Sequence, residues 1–226
     1  MGFMAAAAGL PSWVMLEHYV FQRDDDTSSL PGDGRATATG ETSTGSPFRV
    51  SFVLADPPTP SRLYVWWPEG PRFDHVCHLL AAHDDLVLLR FDSPVRESDP
   101  PPFGEVVHDY FVYVAGAGHP SLRRLPACTE HKEYFGRPVL VPFEPLAVGM
   151  LRGGGAAGEF AAAYLDIQGS ETSSGLEAEL YVLRSSVLPS SSSSSDGDGS
   201  AATWELKHLP IQFQVGDPAS RILGDQ

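Results

Sequence analysis

Apolar residues along this chain fall into short runs separated by clusters of Gly, Pro, Ser and Asp. In the stretch 48–55 the apolar Val50 and Phe52 alternate with Arg49 and Ser51, which is the pattern of a strand with one buried face. Comparable runs lie at 13–21, 61–67, 76–82, 86–91, 109–115, 137–143, 145–151, 159–167, 178–186 and 204–214. The chain is therefore predicted to consist of many short strands.

Two details support an all-β fold. Only three residues separate the runs 76–82 and 86–91, which predicts a tight hairpin. The run 159–167 contains three alanines that favour a helix, but Phe160 and Tyr164 keep a period of two, which favours a strand. Short strands with Pro- and Gly-rich turns predict an antiparallel meander that is propeller-like or a partial propeller.

Long loops interrupt the predicted strands. Residues 24–46 contain Leu30 as their one large apolar side chain, and residues 189–203 are a Ser run closed by Asp and Gly. Such segments bury too little apolar surface to offset their ordering entropy, so both are predicted to be disordered. We expect a flexible N-terminus over residues 1–10 and a single β-rich domain over residues 11–226.

The two runs that flank the Ser-rich loop are predicted to pair as a hairpin. Leu180 and Val182 share one face of the first run, and Trp204 and Leu206 share one face of the second. We expect these two apolar rows to line a common core. Trp204 is then buried opposite Tyr181 and has a structural role.

Charge and cysteine content exclude several classes of function. The 15 Lys and Arg against 29 Asp and Glu give a net charge of −14, and without a basic run we expect no binding to nucleic acid. No stretch of 18 apolar residues is present, so no membrane span is expected. The chain starts without a basic signal-peptide region, and Cys77 and Cys128 form no CxxC pair. We expect two reduced thiols in an intracellular protein, cytoplasmic or nuclear.

Residues 74–85 hold several side chains of the types that bind zinc. The set is Asp74, His75, Cys77, His78, His83, Asp84 and Asp85. It has no CxxC or HxxxH spacing, and adjacent strand positions point Cys77 and His78 to opposite faces. His75 and Cys77 could share a face with His83 across the turn, but the spacing is more typical of polar hairpin residues around a buried thiol. We expect no bound metal.

Gly153, Gly155 and Gly158 match the GxGxxG pattern of dinucleotide-binding loops. That pattern works where a strand leads into a helix whose N-terminus faces the pyrophosphate, and no such context is predicted around this loop. No GxSxG motif is present either. We therefore expect no cofactor, no catalytic residues and no enzyme activity. The alternative is a nucleotide-binding protein or enzyme that uses the glycine-rich loop 153–158.

Tyr64, Trp66 and Trp67 are the candidates for binding a partner. Neighbouring strand positions face opposite ways, so one tryptophan is expected in the core and the other outside. An outward tryptophan beside Pro68 would be a hot spot for a protein partner. The alternative is ordinary packing against a neighbouring strand.

Two sets of motifs carry a family resemblance. The ending from Leu122 to Pro126, and Tyr181 to Ser185 with Trp204, resemble strand endings of plant F-box-associated β-propeller proteins. The ordered motifs over residues 11–213, most specifically PFRVSFVLADPPTPSRLYVWWP at 47–68, resemble a grass-rich plant family that carries the domain of unknown function 1618.

This resemblance implies a β-rich plant protein from a family without established biochemistry. Some members carry an F-box ahead of the domain, but no F-box-like helical pair stands at the start of this sequence, which ends at Gln226. We therefore expect a short or truncated member. The function predicted from the sequence is a non-enzymatic protein-interaction module of unknown partner.

Overall fold

The strands of this protein dominate its structure. A computed structural model describes residues 13–23, 37–71, 76–94, 106–115, 120–134, 137–141, 143–154, 159–169, 176–185 and 203–211. Within these ranges the backbone forms strands, with 3₁₀ helix at Pro145–Ala147 and at Ser185, and it forms no α-helix. The predicted all-β class is confirmed.

The strands follow the chain in this order: β1 Leu16–Arg23, β2 Thr37–Glu41, β3 Pro47–Val53, β4 Ser61–Trp66, β5 Cys77–His83, β6 Leu86–Pro94, β7 Val106–Val114, β8 Ser121–Arg124, β9 Thr129–Tyr134, β10 Arg137–Leu140, β11 Val148–Arg152, β12 Phe160–Gly169, β13 Leu176–Arg184 and β14 Glu205–Ile211. The predicted hairpin of β5 and β6 is present, with a two-residue turn in which Asp84 has a positive φ of 54°. The alanine-rich run is strand β12, as its period of two predicts.

Three four-stranded sheets contain most of these strands. The second sheet has the order β5-β6-β7-β8 and the third has the order β11-β12-β13-β14, and both are antiparallel meanders as predicted. The first sheet differs, because its order is β1-β4-β3-β2 and β1 runs parallel to β4. After β1, the chain forms β2 at the opposite edge of the sheet, and β3 pairs with β2. Strand β4 then lies between β3 and β1 and runs in the same direction as β1. Strands β9 and β10 form a separate hairpin.

The second sheet is the middle layer of the molecule. Val87 and Leu89 on β6 belong to the apolar core shared with the first sheet. Leu86 and Leu88 on the same strand belong to the core shared with the third sheet. Both faces of the second sheet are therefore buried, which explains why the run 86–91 is almost continuously apolar.

Aromatic rings fill the two cores. Between the first and second sheets, the Phe48 ring lies 4.1 Å from Phe91 and 4.9 Å from Phe111. Between the second and third sheets, the fully buried Phe143 stacks on Tyr164 at 4.8 Å although it belongs to no strand. Edge-on and offset arrangements of this kind stabilise aromatic packing beyond the area they bury.

Part of the predicted disorder is wrong. Residues 37–41 form strand β2, in which Ala38 is buried and the Thr37 hydroxyl donates to Ser51 Oγ at 3.0 Å. The following turn is held to the second sheet, because the backbone N–H and the hydroxyl of Ser43 both donate to Asp109 at 2.9 Å. In this segment, strand pairing and hydrogen bonds of small polar side chains hold the backbone in place without large apolar side chains. Residues 1–10, 24–36 and 189–202 lie outside the described residues.

The C-terminal hairpin pairs as predicted, but with the other face of β13 toward the core. Tyr181 lies opposite Leu206, and Tyr181 and Leu183 are buried. Leu180 and Val182, which were expected in the core, lie on the opposite face. Both faces of this strand carry large apolar residues, so the sequence pattern alone does not identify the inner one. The larger Tyr181 ring fills the core beside Tyr164.

Trp204 has the structural role that the sequence predicts, although it is half-buried and does not lie opposite Tyr181. Its indole N–H donates to the carbonyl of Pro126 at 2.9 Å. Its ring meets Phe143 edge-on at 4.9 Å. Trp204 therefore connects the start of β14 to the segment that follows β8.

Candidate functional site

The face of the first sheet that points away from the second sheet carries a cluster of arginine and aromatic side chains. On β4, Leu63, Val65 and the following Trp67 point into the core, and Tyr64 and Trp66 point outward. The sequence correctly predicts that the two tryptophans separate in this way. Trp66 and Tyr64 are both half-buried on that outer face.

Trp67 is out of reach of a partner, so its assignment as a binding residue is corrected. Only 3% of it is exposed. Its ring meets Phe91 edge-on at 5.4 Å, and its indole N–H donates to Ser46 Oγ at 2.7 Å. Trp67 therefore anchors the β2–β3 turn to the core.

Three guanidinium groups lie over three rings on the outer face. The Arg23 guanidinium carbon is 5.2 Å from the centre of the Tyr64 ring, Arg49 is 5.3 Å from Trp66, and Arg62 is 5.4 Å from Phe21. The Phe21 and Tyr64 rings are themselves 5.5 Å apart. We call this set the arginine–aromatic face; its members are Phe21, Arg23, Arg49, Arg62, Tyr64 and Trp66.

Strand pairing brings these residues together. Phe21 lies beside Tyr64 in the parallel pair of β1 and β4, and Arg23 lies beside Trp66. Arg49 lies on the other side of Trp66, in the antiparallel pair of β3 and β4. Sequence reasoning missed Phe21 and Arg23 because the parallel pairing is not encoded locally. It missed Arg49 and Arg62 because their stacking depends on how β4 pairs with its two neighbours. The alternation of Arg62, Tyr64 and Trp66 along β4 is the one local signal.

The arginine–aromatic face is positive although the chain as a whole is acidic. Strands β3 and β4 contain no Asp or Glu. Within the described residues, the acidic side chains of the other two strands are Glu17 at the start of β1 and Glu41 at the end of β2. Three of the chain's 15 basic residues thus stand together on one sheet face.

A second polar cluster surrounds Asp92 on the middle sheet. His108 Nδ1 lies 2.7 Å from one carboxylate oxygen, Arg90 Nε lies 3.1 Å from the same oxygen, and His78 Nε2 lies 3.2 Å from the other. Burial by itself would raise the pKa of Asp92, but the hydrogen bonds from His108 and His78 and the charge of Arg90 outweigh it and hold the pKa well below its ordinary value.

The Asp92 cluster joins three neighbouring strands. His78 on β5 pairs with Arg90 on β6, and Asp92 pairs with His108 on β7. Arg90 also donates to the carbonyl of Phe143 at 2.9 Å, which extends the cluster toward the third sheet. Because the carboxylate already has two imidazole rings and the Arg90 guanidinium as partners, this arrangement is that of a structural polar network.

The described residues that were considered as zinc ligands do not come together, and Asp74 and His75 lie outside the described residues. Cys77 belongs to the core shared with the first sheet, whereas His78 bonds Asp92 on the opposite face, as predicted. A register shift between Leu79 and Ala81 turns the rest of β5, so His83 Nδ1 accepts from the backbone N–H of Arg152 in the third sheet. In the described part of the chain, no group of three His, Cys, Asp or Glu side chains is placed to hold a metal ion.

The glycine-rich loop lies in a β-hairpin. Gly153 ends the pairing of β11 with β12, and its N–H donates to the carbonyl of Glu159 at 2.9 Å. Strand β12 begins at Phe160, at the place where a dinucleotide-binding loop would continue as a helix. Gly155 and Gly158 lie outside the described residues.

An open depression of about 330 Å³ lies beside this hairpin, with Arg152 and Arg184 among its lining residues. Both arginines have acidic neighbours, because Arg152 forms an ion pair with Asp85 and Arg184 lies 3.6 Å from Glu205. The depression therefore offers no unpaired cation, within the described residues, for a phosphate group.

Within the described ranges, the chain has no helix long and apolar enough to cross a membrane. Comparisons with protein-family models, with curated proteins and with solved structures find no match.

Proposed function

We propose that this chain is a protein-interaction module without catalytic activity, and that a protein partner docks on its arginine–aromatic face. The observation that carries the proposal is the set of three guanidinium groups stacked on three rings of one sheet face. Tryptophan, tyrosine and arginine are the residues most enriched among interface hot spots. Nucleic acid and membranes are not proposed as partners.

The stacking prepares these side chains for binding. An arginine that lies over a ring has already lost much of its rotamer freedom, so less entropy is lost when a partner arrives. The strands beneath the face are held by the buried core of Phe48, Val50 and Leu63. A rigid platform of this kind suits recognition better than catalysis, since none of the six residues that define the face is a nucleophile beside a base.

We also propose that the three sheets are arranged like blades of a propeller, which would suit the role of a scaffold. The edge strand β5 of the second sheet contacts β1 of the first sheet and β11 of the third, and β2 contacts β8 at the other end. The blades of a propeller are four-stranded sheets that pack face to face around a central channel. We propose three blade-like units in a partial propeller, in a plant protein of the domain 1618 family.

An intracellular location, cytoplasmic or nuclear, is part of the proposal. Cys77 and Cys128 are both buried and neither is in a disulfide, which suits a compartment that keeps thiols reduced.

The test uses affinity purification from plant extract with the full chain and two variants. Trp66→Ala removes the central ring of the face, and Leu151→Ala, at a residue 63% exposed on the third sheet, is the matched control. We expect at least one protein to bind the parent and the control and to be lost with Trp66→Ala, because truncating a hot spot costs about 2 kcal/mol or more. Identical captured sets from all three chains, with unchanged melting of Trp66→Ala, would disprove the proposal.

A further inference from the structure

We infer that two copies of this chain associate through the outer face of the third sheet, which points away from the second sheet. This inference goes beyond the proposed function, because it concerns a different sheet and does not involve the arginine–aromatic face. Every second residue of β12, β13 and β14 points outward there, and most of these side chains are aliphatic. We call the following set the aliphatic face: Leu165, Ile167, Leu180, Val182, Leu209 and Ile211.

The aliphatic face lies outside both apolar cores. Tyr181 belongs to the core that the third sheet shares with the second sheet, so its neighbour Leu180 points the opposite way. Ile167 is 54% exposed and Leu209 is 42% exposed. Aliphatic side chains that stand side by side on one sheet face and remain exposed mark a surface for association.

The side chains of the aliphatic face alternate in size, which suits packing against a second copy of the same face. Leu165 lies beside Leu180, and in the next row the small Ala178 lies between Ile167 and Leu209. When two sheets pack face to face at about 10 Å, large side chains of one sheet fill the hollows over small side chains of the other. The six residues include no aromatic ring and no charge, which is typical of homodimer interfaces.

Charge complementarity favours contact between two third sheets. The charged outward residues of the described part of this sheet stand at its margin, where Glu205 lies 3.6 Å from both Arg184 and Lys207. Because this margin contains both signs, two copies related by a two-fold axis can place each glutamate beside a cation of the other copy. Contact between the third sheet and the arginine–aromatic face would instead bring two cations toward three arginines.

The area of the outer face matches a reversible dimer. The third sheet measures about 20 Å across its four strands, at about 4.8 Å per strand, and about 25 Å along them, at about 3.3 Å per residue. Two copies therefore cover about 1,000 Å² between them, which is the area at which specific interfaces begin. We expect a dimer with a dissociation constant of about 1–100 μM.

Sedimentation equilibrium of the full chain tests for this dimer. We expect the mass to rise from the 24.3 kDa of one chain toward twice that value as the protein concentration is raised. Each copy has a net charge of −14, so two copies repel each other as a whole. Salt screens this repulsion, so dimerisation should strengthen between about 0.05 and 0.5 M sodium chloride, whereas an interface held by ion pairs would weaken.

Variants locate the contact on the aliphatic face. Ile167→Glu and Leu209→Glu each place a carboxylate among apolar side chains, so each should raise the dissociation constant of the dimer about tenfold or more. Leu54→Glu, at a residue 41% exposed just after β3, is the matched control and should leave the constant unchanged. The melting temperature of the parent should rise with protein concentration, and that of Ile167→Glu should not.

The outcomes separate this inference from the proposed function. A parent that stays at 24.3 kDa at every concentration overturns the inference. In such a monomer, lower melting of Ile167→Glu than of Leu54→Glu identifies another segment of the chain itself as the cover of this face. A dimer unchanged in Ile167→Glu and Leu209→Glu also overturns the inference, because its contact then lies elsewhere. Trp66→Ala should leave the dimer intact, and the proposed function fails only in the capture experiment.

Discussion

The backbone N–H of Phe143 donates to the hydroxyl oxygen of Tyr110 at 2.8 Å, and the two rings lie 4.3 Å apart. Phe143 comes from the segment between β10 and β11, and Tyr110 comes from the middle sheet. One tyrosine thus provides both an apolar surface and a hydrogen-bond acceptor for a residue that enters the core without a strand. Burial is the main reason that the pKa of Tyr110 is raised above its ordinary value.

This contact can be tested by removing its two parts separately. Tyr110→Phe keeps the ring but leaves the Phe143 N–H without its acceptor, which should lower the free energy of unfolding by about 1–3 kcal/mol. Phe143→Ala empties a fully buried site and should cost about 3–5 kcal/mol. Urea denaturation measures both values. Leu151→Ala is the exposed control, and a loss from Tyr110→Phe no greater than that of the control would show that the hydrogen bond is unimportant.

Asp92 should make stability depend on pH. Its pKa is depressed in the folded state, so its stabilisation is fully present above the ordinary value of 3.8 and is lost as the pH falls below that value. Asp92→Asn lacks this titration. We expect the parent to be more stable than the variant at pH 7 and the difference to shrink steadily below about pH 4.

Denaturant melts of the parent and Asp92→Asn across the acidic range give this comparison, and subtracting one series from the other cancels the remaining carboxylates. A difference that stays constant from pH 7 to pH 2 would contradict the depressed pKa.

The two cysteines should be unreactive in the folded protein. Burial, and after it the negative charge of Asp92, raises the pKa of Cys77 well above its ordinary value, and Cys128 is also buried. Because the thiolate is the reactive form, a chromogenic thiol reagent at pH 8 should modify neither residue until urea is added. Leu151→Cys supplies an exposed thiol as the control. Rapid modification of Cys77 without denaturant would show that this part of the core opens readily.

Two glycines in strands should respond in opposite ways to alanine. A Cβ atom on Gly40 would lie 2.6 Å from the Phe48 ring, which cannot retreat because it packs on Phe91 and Phe111. Gly40→Ala should therefore cost about 1–3 kcal/mol through overpacking. A Cβ on Gly149 meets nothing within 4 Å, so Gly149→Ala should be neutral or stabilising by about 0.4–1 kcal/mol. Thermal melts of the two variants compare them directly, and equal losses would be evidence against the close packing at Gly40.

Local alternation accounts for most of what the sequence predicts correctly. It separates Trp66 from Trp67, and it identifies β12 as a strand despite its alanines. It fails where the pattern is ambiguous, as on β13, where Leu180 and Tyr181 lie on faces that are both apolar. Alternation also does not predict the Asp92 cluster of the middle sheet, because that cluster depends on the pairing of three strands.

Non-local features account for the remaining errors. Strand β2 lacks large apolar residues and is held by pairing with β3 and by bonds from its turn, so composition predicts a loop there. The register shift at Leu79 reverses the faces of β5 within a single strand. The arginine–aromatic face depends on the parallel pairing of β1 and β4, which are far apart along the chain. The alternation of apolar and polar residues within a strand does not indicate which other strand it pairs with.

The parallel pair of β1 and β4 has a consequence for the order of assembly. The middle sheet is a meander whose neighbouring strands are consecutive, so its pairs close through short loops. Strand β1 must instead close a loop that includes β2 and β3, which loses more chain entropy and favours late docking. Backbone amides of β1 should then exchange with deuterium before those of β6. Because Phe21 and Arg23 belong to β1, two of the three stacks would form only in that last step, and a partner held by all three would protect β1 from exchange.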